Sequence, residues 1–304
     1  MANLKAIRQR IKSVQATQKI TRAMRLVAAA KVRRAQARVQ AARPFTKAVI
    51  EMLASAVKEI SSVDLSGLPL LHARPVKKIA LIVLSSDRGL CGSYNTTVFR
   101  EALGRIQALQ AEGKEVSLIV VGLKAAAFFK SVKVEKLKSY TLLPAIPSVQ
   151  ESKLISEHAS ALFTDGVVDA VELIGTQFIS MLRSRVIQIP YLPASIPNLE
   201  AMEQEEHIDA IASEPMSPVR LFEPNVYEVM TKELIPKYLE NVIYQALLEA
   251  SAAELAARMN AMTNASNNAR DLISSLTLVY NKARQTGITQ DLLEIVGGAE
   301  ALRG

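Results

Sequence analysis

The chain has 304 residues, of which 49% are hydrophobic and 5% aromatic, with no Trp, 12 Gly and 12 Pro. That excludes a disordered chain and an aromatic-rich core, and favours long, Ala-rich helices packed closely. A single cysteine, Cys91, excludes a disulfide framework, a Cys-based zinc cluster and an intramolecular thiol switch. The formal charge of +8 is uneven: residues 1–50 hold 13 of the 37 Lys and Arg and none of the 29 Asp and Glu. A segment so basic fits nucleic acid, an anionic membrane surface or an acidic protein surface, or is simply a solvated helix face.

In chain order, the first element is a helix. Residues 3–43 lack Gly and Pro, and Leu4, Ile7, Ile11 and Val14 step by 3, 4 and 3, a seam for a partner helix. Ile20, Met24 and Val27 are read as its continuation. Pro44 is expected to kink the helix, which resumes to about Ile60 and ends in the loop Ser66–Pro69. The opening residues show no apolar signal segment, and no stretch is apolar and long enough to cross a membrane.

Residues 76–190 change style. The short apolar run Ile79–Leu84 predicts a buried strand, and Val116–Val121, Val132–Tyr140, Ala170–Gly175 and Phe178–Ile189 are read as four more. Helices are predicted over 96–111, after Gly122, and over 149–163. Alternating β and α predicts a doubly wound, parallel-rich sheet, with the last two strands as an antiparallel hairpin. The turn Ser85–Gly92 follows the first strand, where such folds bind phosphate. It lacks G-x-G-x-x-G, and no G-x-x-x-x-G-K-[ST] exists, so it is read as a tight glycine turn. Asp87 and Arg88 within it are candidates for a partner contact or a local ion pair. Cys91 reads as buried and incidental, and His72, His158 and His207 lack metal-ligand spacing. No metal or other cofactor is expected.

Residues 187–224 hold six prolines and seven acids against one base, Arg220, which predicts an exposed irregular connector. From Val226 to Leu302 a second long helix is predicted, with seams at Leu239, Ile243, Ala246, Ala250, Ala253, Ala257 and at Ala265, Ala269, Leu272, Leu276, Val279, Ala283. Seventy helical residues would span about 105 Å, more than a globular core needs. The expected fold class is therefore α/β: a long antiparallel coiled coil of N- and C-terminal helices plus a doubly wound, Rossmann-like domain. The parts are residues 1–65 (basic helix), 76–190 (α/β domain), 191–224 (connector) and 225–304 (C-terminal helix).

Several stretches resemble the gamma subunit of F-type ATP synthase, most of all its photosynthetic forms. They are Lys19–Ala29 (KITRAMRLVAA), the Asp87–Gly92 loop, Glu254–Met259 with Met262, Asn264 and Ala265, Leu278–Gln285 (LVYNKARQ), Ile288–Gln290 and Glu294–Val296. The resemblance covers essentially the whole chain. It implies a central rotor shaft that is not itself catalytic, running through a hexamer of alternating alpha and beta subunits. The implied foot sits on the membrane c-ring beside the epsilon subunit, with catalysis on beta and no membrane insertion. It implies a peripheral protein on the cytoplasmic face of a bacterial membrane, cyanobacterial plasma or thylakoid. By the same resemblance Arg284, Gln285 and Thr289 face a loop of beta, and Met24 shapes the shaft surface. The cluster Leu292, Leu293, Ile295 and Val296 would seat in an apolar bearing. Chloroplast relatives carry a regulatory cysteine pair in the connector; the absence of cysteine here excludes that switch, and shortening 198–214 is expected to change ATPase inhibition without affecting assembly. Two other readings compete: a basic coiled-coil protein binding nucleic acid, with steep salt dependence, and an α/β nucleotide-binding enzyme.

Overall fold

The computed structural model describes residues 4–59, 67–194 and 225–301. Connector residues 195–224, including 198–214, lie outside the described residues, as does Ile60. The elements in order are α1 (Leu4–Glu59), β1 (Lys78–Leu84), α2 (Tyr94–Ala111), β2 (Glu115–Val121), α3 (Leu123–Phe128), β3 (Glu135–Tyr140), α4 (Val149–Thr164), β4 (Ala170–Phe178), β5 (Ser184–Leu192), α5 (Val226–Val229), a π turn (Met230–Leu234) and α6 (Ile235–Ala301). The chain divides into two compact units: residues 1–30 with 258–304, and residues 31–257.

In the second unit, β1 and β2 are continuous apolar runs because both faces of the sheet are covered. Strand order is β3-β2-β1-β4-β5; β1 is parallel to β2 and β4, β2 is parallel to β3, and β5 is antiparallel to β4. Side chains alternate with the pleat. Ile79, Leu81 and Val83 pack with Val98, Ile106 and Phe129 from the α2–α3 side. Ala80, Ile82 and Leu84 join Ile155 and Phe163 of α4 with Ile50, Leu53, Leu239 and Ile243 of the long helices. Many of these are fully buried, each contributing about 1.5–3 kcal/mol. The hairpin is as expected, but its strands are displaced: Phe178 ends β4, and β5 begins only at Ser184. The Ile179–Arg183 tip between them bonds within itself, Ser180 N–H donating to the Arg183 carbonyl at 2.9 Å.

The sheet is tied down by polar pairs. Arg105 of α2 reaches Glu172 of β4 through two charge-assisted bonds of 2.9 and 2.6 Å, and Gln188 of β5 donates to the same carboxylate at 2.8 Å. Asp169 accepts from the Lys77 and Lys78 backbone N–H groups, each at 2.9 Å, and pairs with Arg74 at 3.0 Å. Burial pushes that carboxyl up, but the two N–H groups and Arg74 outweigh it and hold it below the usual carboxylate range. Tyr191 of β5 shares a 2.8 Å hydrogen bond with Ser156 of α4 and donates to the Leu239 carbonyl of α6 at 3.2 Å.

The long helices run antiparallel within this unit. Asn241 donates to Thr46 at 3.0 Å, while Val32, Ala35 and Val39 pack with Leu248, Ala252, Leu255 and Ala256. Helix α1 passes through Pro44 as one element. Pro236 leaves a sharper mark on α6. It lacks the N–H that would bond to the Lys232 carbonyl, and the π turn Met230–Leu234 directly before it absorbs the mismatch.

In the first unit the seam of α1 departs from expectation. Leu4, Ile7, Ile11 and Val14 are half-buried, and the strict heptad then passes through Gln18, Thr21, Arg25 and Ala28. Ile20 and Val27, expected on the seam, are 60% and 57% exposed. On α6 the inward positions are Met262, Ala269, Ile273, Leu276, Tyr280, Ala283 and Gly287, whereas Leu272 and Val279 point outward. Apolar identity alone misplaced these four residues; strict spacing carried from Leu4 and from Met262 places the seam.

Candidate functional site

A doubly wound sheet offers its ligand crevice beyond the carboxyl ends of the strands, where the order reverses, here between β1 and β4. In this chain the crevice is filled. Cys91 and Tyr94 from the end of β1 and the start of α2 pack with Phe178 and with Ala253 and Ala257 of α6. Burial, then the negative charge of Glu254, raises the Tyr94 hydroxyl above its ordinary pKa, so it stays neutral. Cys91 is buried, as its sequence context suggests.

The Ser85–Gly92 turn spends its polar groups on itself. Ser85 Oγ donates to the Val121 carbonyl at 2.9 Å and accepts from Ala125 N–H at 3.0 Å. Ser86 N–H donates to Asn95 Oδ1 at 3.1 Å, and Asn95 Nδ2 reaches Cys91 Sγ at 3.3 Å. Asp87 Oδ1 accepts from the backbone N–H groups of Leu123 (2.8 Å) and Leu142 (3.1 Å), lacing together the loops after β1, β2 and β3. Gly122 takes φ +100°, and a Cβ there would lie 2.6 Å from the Ser85 carbonyl oxygen. The turn is thus a knot of side-chain-to-backbone bonds rather than a cradle of free N–H groups. Among the described residues no group of three or more His, Cys, Asp or Glu is placed to hold a metal ion, and no helix is long and apolar enough to cross a membrane.

The remaining candidates lie on the long helices. Arg284, Gln285 and Thr289 are exposed on α6, where Thr289 donates to the Gln285 carbonyl at 3.0 Å. Gln285 and Thr289 share the face opposite the seam with Leu278, Leu292 and Val296. Met24 is half-buried on α1 beside Arg25. Asp87 has its internal role, and Arg88 is exposed in the same turn.

The cluster expected to seat in an apolar bearing is exposed, and Leu26 and Leu278 add apolar surface that the sequence reading did not single out. Gly287 is the last half-buried residue of α6; every residue from Ile288 to Ala299 is exposed, with Leu292 at 58%, Leu293 at 67%, Ile295 at 68% and Val296 at 61%. Leu26 of α1 is 58% exposed and Leu278 of α6 is 69% exposed. A contiguous apolar face of this kind marks an interaction surface.

Comparison with known proteins agrees with this arrangement. The family model described as ATP synthase matches residues 3–302. The ATP synthase gamma chain of Thermosynechococcus vestitus is 46% identical over 317 positions, covering 100% of both chains. That of Trichormus variabilis is 44% identical, covering 99% of this chain and 100% of its own. Among solved structures, the central stalk and c-ring assembly of Tetrahymena thermophila mitochondrial ATP synthase contains a chain 25% identical, with TM-score 0.56, covering 81% of this chain and 99% of that one. A chain of the Euglena gracilis mitochondrial enzyme shares the fold at TM-score 0.63 and 18% identity, covering 98% of this chain and 94% of its own.

Proposed function

Since the chain belongs to the family of ATP synthase gamma chains, we propose that it is the non-catalytic central shaft of a rotary ATP synthase, transmitting torque between a proton-driven membrane ring and a catalytic hexamer. The observation that carries the reading is the exposed apolar end of α6, from Ile288 onward. A free helix with that surface would associate or aggregate; seated in a ring of other subunits it becomes a bearing. Two long paired helices supply torsional stiffness. A shaft without three-fold symmetry can hold three chemically identical sites in three different states, because each site meets a different face of it.

The filled crevice supports a division of labour. With α6 packed where a nucleotide would bind, this chain is left to transmit torque: catalysis lies on beta, alpha and beta surround the shaft at a 3:3 ratio, and the α/β foot meets the epsilon subunit and the c-ring. The acid-free N-terminal stretch suits acidic partner surfaces. Arg284, Gln285, Thr289 and Met24 are the proposed contacts with the hexamer, with Arg88 a further contact at the foot; Asp87 holds the turn that presents Arg88. The assembly lies on the cytoplasmic side of its membrane.

Native mass spectrometry of the complex, captured through a tag on this chain in mild detergent, tests the reading. One copy of this chain with three copies each of two larger subunits is the expected result. A lone chain, or one bound to nucleic acid, would overturn it. In the same preparation, Arg284→Ala with Gln285→Ala is expected to lower ATP-driven proton pumping several-fold while leaving the subunit ratio intact.

A further inference from the structure

In the first unit the seam between α1 and α6 opens into a cleft of ≈ 310 Å³, lined by Gln18, Arg22, Arg25, Thr263, Ser266, Asn267 and Arg270. A coiled-coil seam would ordinarily place apolar side chains here. Instead the heptad delivers Gln18 and Arg25 inward, while Ile20, Leu26 and Val27 stand outside. The lining holds three guanidinium groups, four neutral polar groups and no carboxylate. Among the described residues the one ion pair of these arginines is Arg270 with Asp271, at 3.5 Å and with both side chains about 70% exposed (69% and 73%), a geometry worth little. Thr263 donates its hydroxyl proton to the Met259 carbonyl at 2.8 Å.

Three like charges around one gap repel one another, and the neutral groups beside them cannot offset three positive charges. A polyvalent oxyanion can. Its oxygens accept forked N–H pairs from guanidinium groups on both helices, and Gln18, Ser266 and Asn267 add neutral donors. We propose that this cleft is an oxyanion site of the phosphate class, taking inorganic phosphate, pyrophosphate or the phosphate tail of a nucleotide, and that the bound anion bridges α1 to α6. The site does not depend on the shaft role, because binding is a property of the chain alone.

The test is calorimetric titration of the full-length chain with pyrophosphate at about 0.15 M salt, where attraction beyond roughly 8 Å is screened. The intact chain is expected to bind one equivalent saturably. Arg25→Gln is expected to weaken binding by about ten-fold or more, the scale of one lost charge-assisted bond. Arg8→Gln removes the same charge from an exposed position on α1 away from the cleft and should leave affinity unchanged. Should Arg25→Gln fail to fold by circular dichroism, Arg270→Gln on the exposed wall carries the same expectation. Parallel titrations with phosphate and ATP identify the source: tighter binding of ATP than of pyrophosphate assigns a nucleotide tail, and binding of phosphate and pyrophosphate alone assigns the free anion. Unsaturable heats, or equal weakening by Arg8→Gln and Arg25→Gln, would overturn the site in favour of diffuse attraction to a basic helix.

Discussion

The two compact units follow opposite packing rules. Among the described residues of 31–257 the apolar side chains of the central strands are inside, and the exposed ones, such as Leu142 and Leu182, lie mainly on loops and outer helix faces: the sheet buries β1 and β2 almost whole, and its polar groups pair with one another. In residues 1–30 and 258–304 polar groups occupy part of the seam, while Ile20, Leu26, Val27, Leu278, Leu292 and Ile295 are outside. The first arrangement stabilises itself. The second is incomplete without a partner, as expected of a shaft whose working surface is its exterior. Local stability should therefore be high in the α/β unit and low at the far ends of the helices.

Equivalent substitutions in the two units should act in opposite directions, and the largest effect is at Gly122. Gly122→Ala forces a Cβ to within 2.6 Å of Ser85 at a backbone angle of φ +100°. It is expected to cost about 2–4 kcal/mol through strain and loss of the Asp87–Ser85 knot. The same change at Gly287, in α6, meets nothing within 4 Å and should stabilise by about 0.5–1 kcal/mol through helix propensity. Urea unfolding of the isolated chain measures both. Equal signs would mean that the two units do not differ in packing as described.

The α/β unit was largely legible in the sequence because its signals are local and redundant. Ile79–Leu84 and Val116–Val121 are apolar on both faces, which only a buried strand of that length satisfies, and Gly122 marks the turn after β2. The β4–β5 boundary was missed because Phe178 and Ile179 are apolar while the break between strands depends on Ser180 bonding to Arg183. The seam of the coiled coil was the harder part. Reading it by apolar identity gave Ile20, Val27, Leu272 and Val279, since hydrophobic residues are assumed to face inward. That assumption fails when a partner outside the chain also buries apolar surface. The cleft was invisible for a related reason: Gln18 and Arg25 reveal their inward placement only when the heptad is carried through without regard to residue type. The contact role of Arg284, Gln285 and Thr289 was reachable through family resemblance alone, because nothing about an exposed Arg-Gln pair on a helix is locally distinctive.

Filling the seam sharpens the comparison at intermediate size. Arg25→Leu replaces a half-buried guanidinium with the side chain the heptad expects. It should stabilise the helix pair by about 1 kcal/mol, visible as slower amide exchange over residues 18–28 and 262–270 with no change in the sheet. The same variant should lose pyrophosphate binding. Gained protection together with lost binding would show that the polar layer is retained for its ligand at a cost in stability. Lost protection would mean that Arg25 packs through its aliphatic stem and that the seam there needs it.

The smallest expected effect belongs to His158, within the α/β unit. Its imidazole lies on α4, with the Tyr140 ring 6.3 Å away edge-on, and its buried Nδ1 finds no hydrogen-bond partner. Burial first, and then the positive charge of Lys138, push its pKa below the ordinary value of 6.5. A base with a depressed folded-state pKa takes up its proton more readily once unfolded. Stability is therefore undiminished above pH 6.5 and declines as pH falls from there toward the lower folded-state value, levelling off below it. His158→Asn removes that titration. Compared by thermal melting from pH 7.5 to 5.0, the native chain should lose more stability than the variant, and the difference should develop below pH 6.5. Parallel pH profiles would place the His158 ring in water in solution; the loss from carboxylates such as Asp169, held below the usual range, is common to both chains and cancels in the comparison.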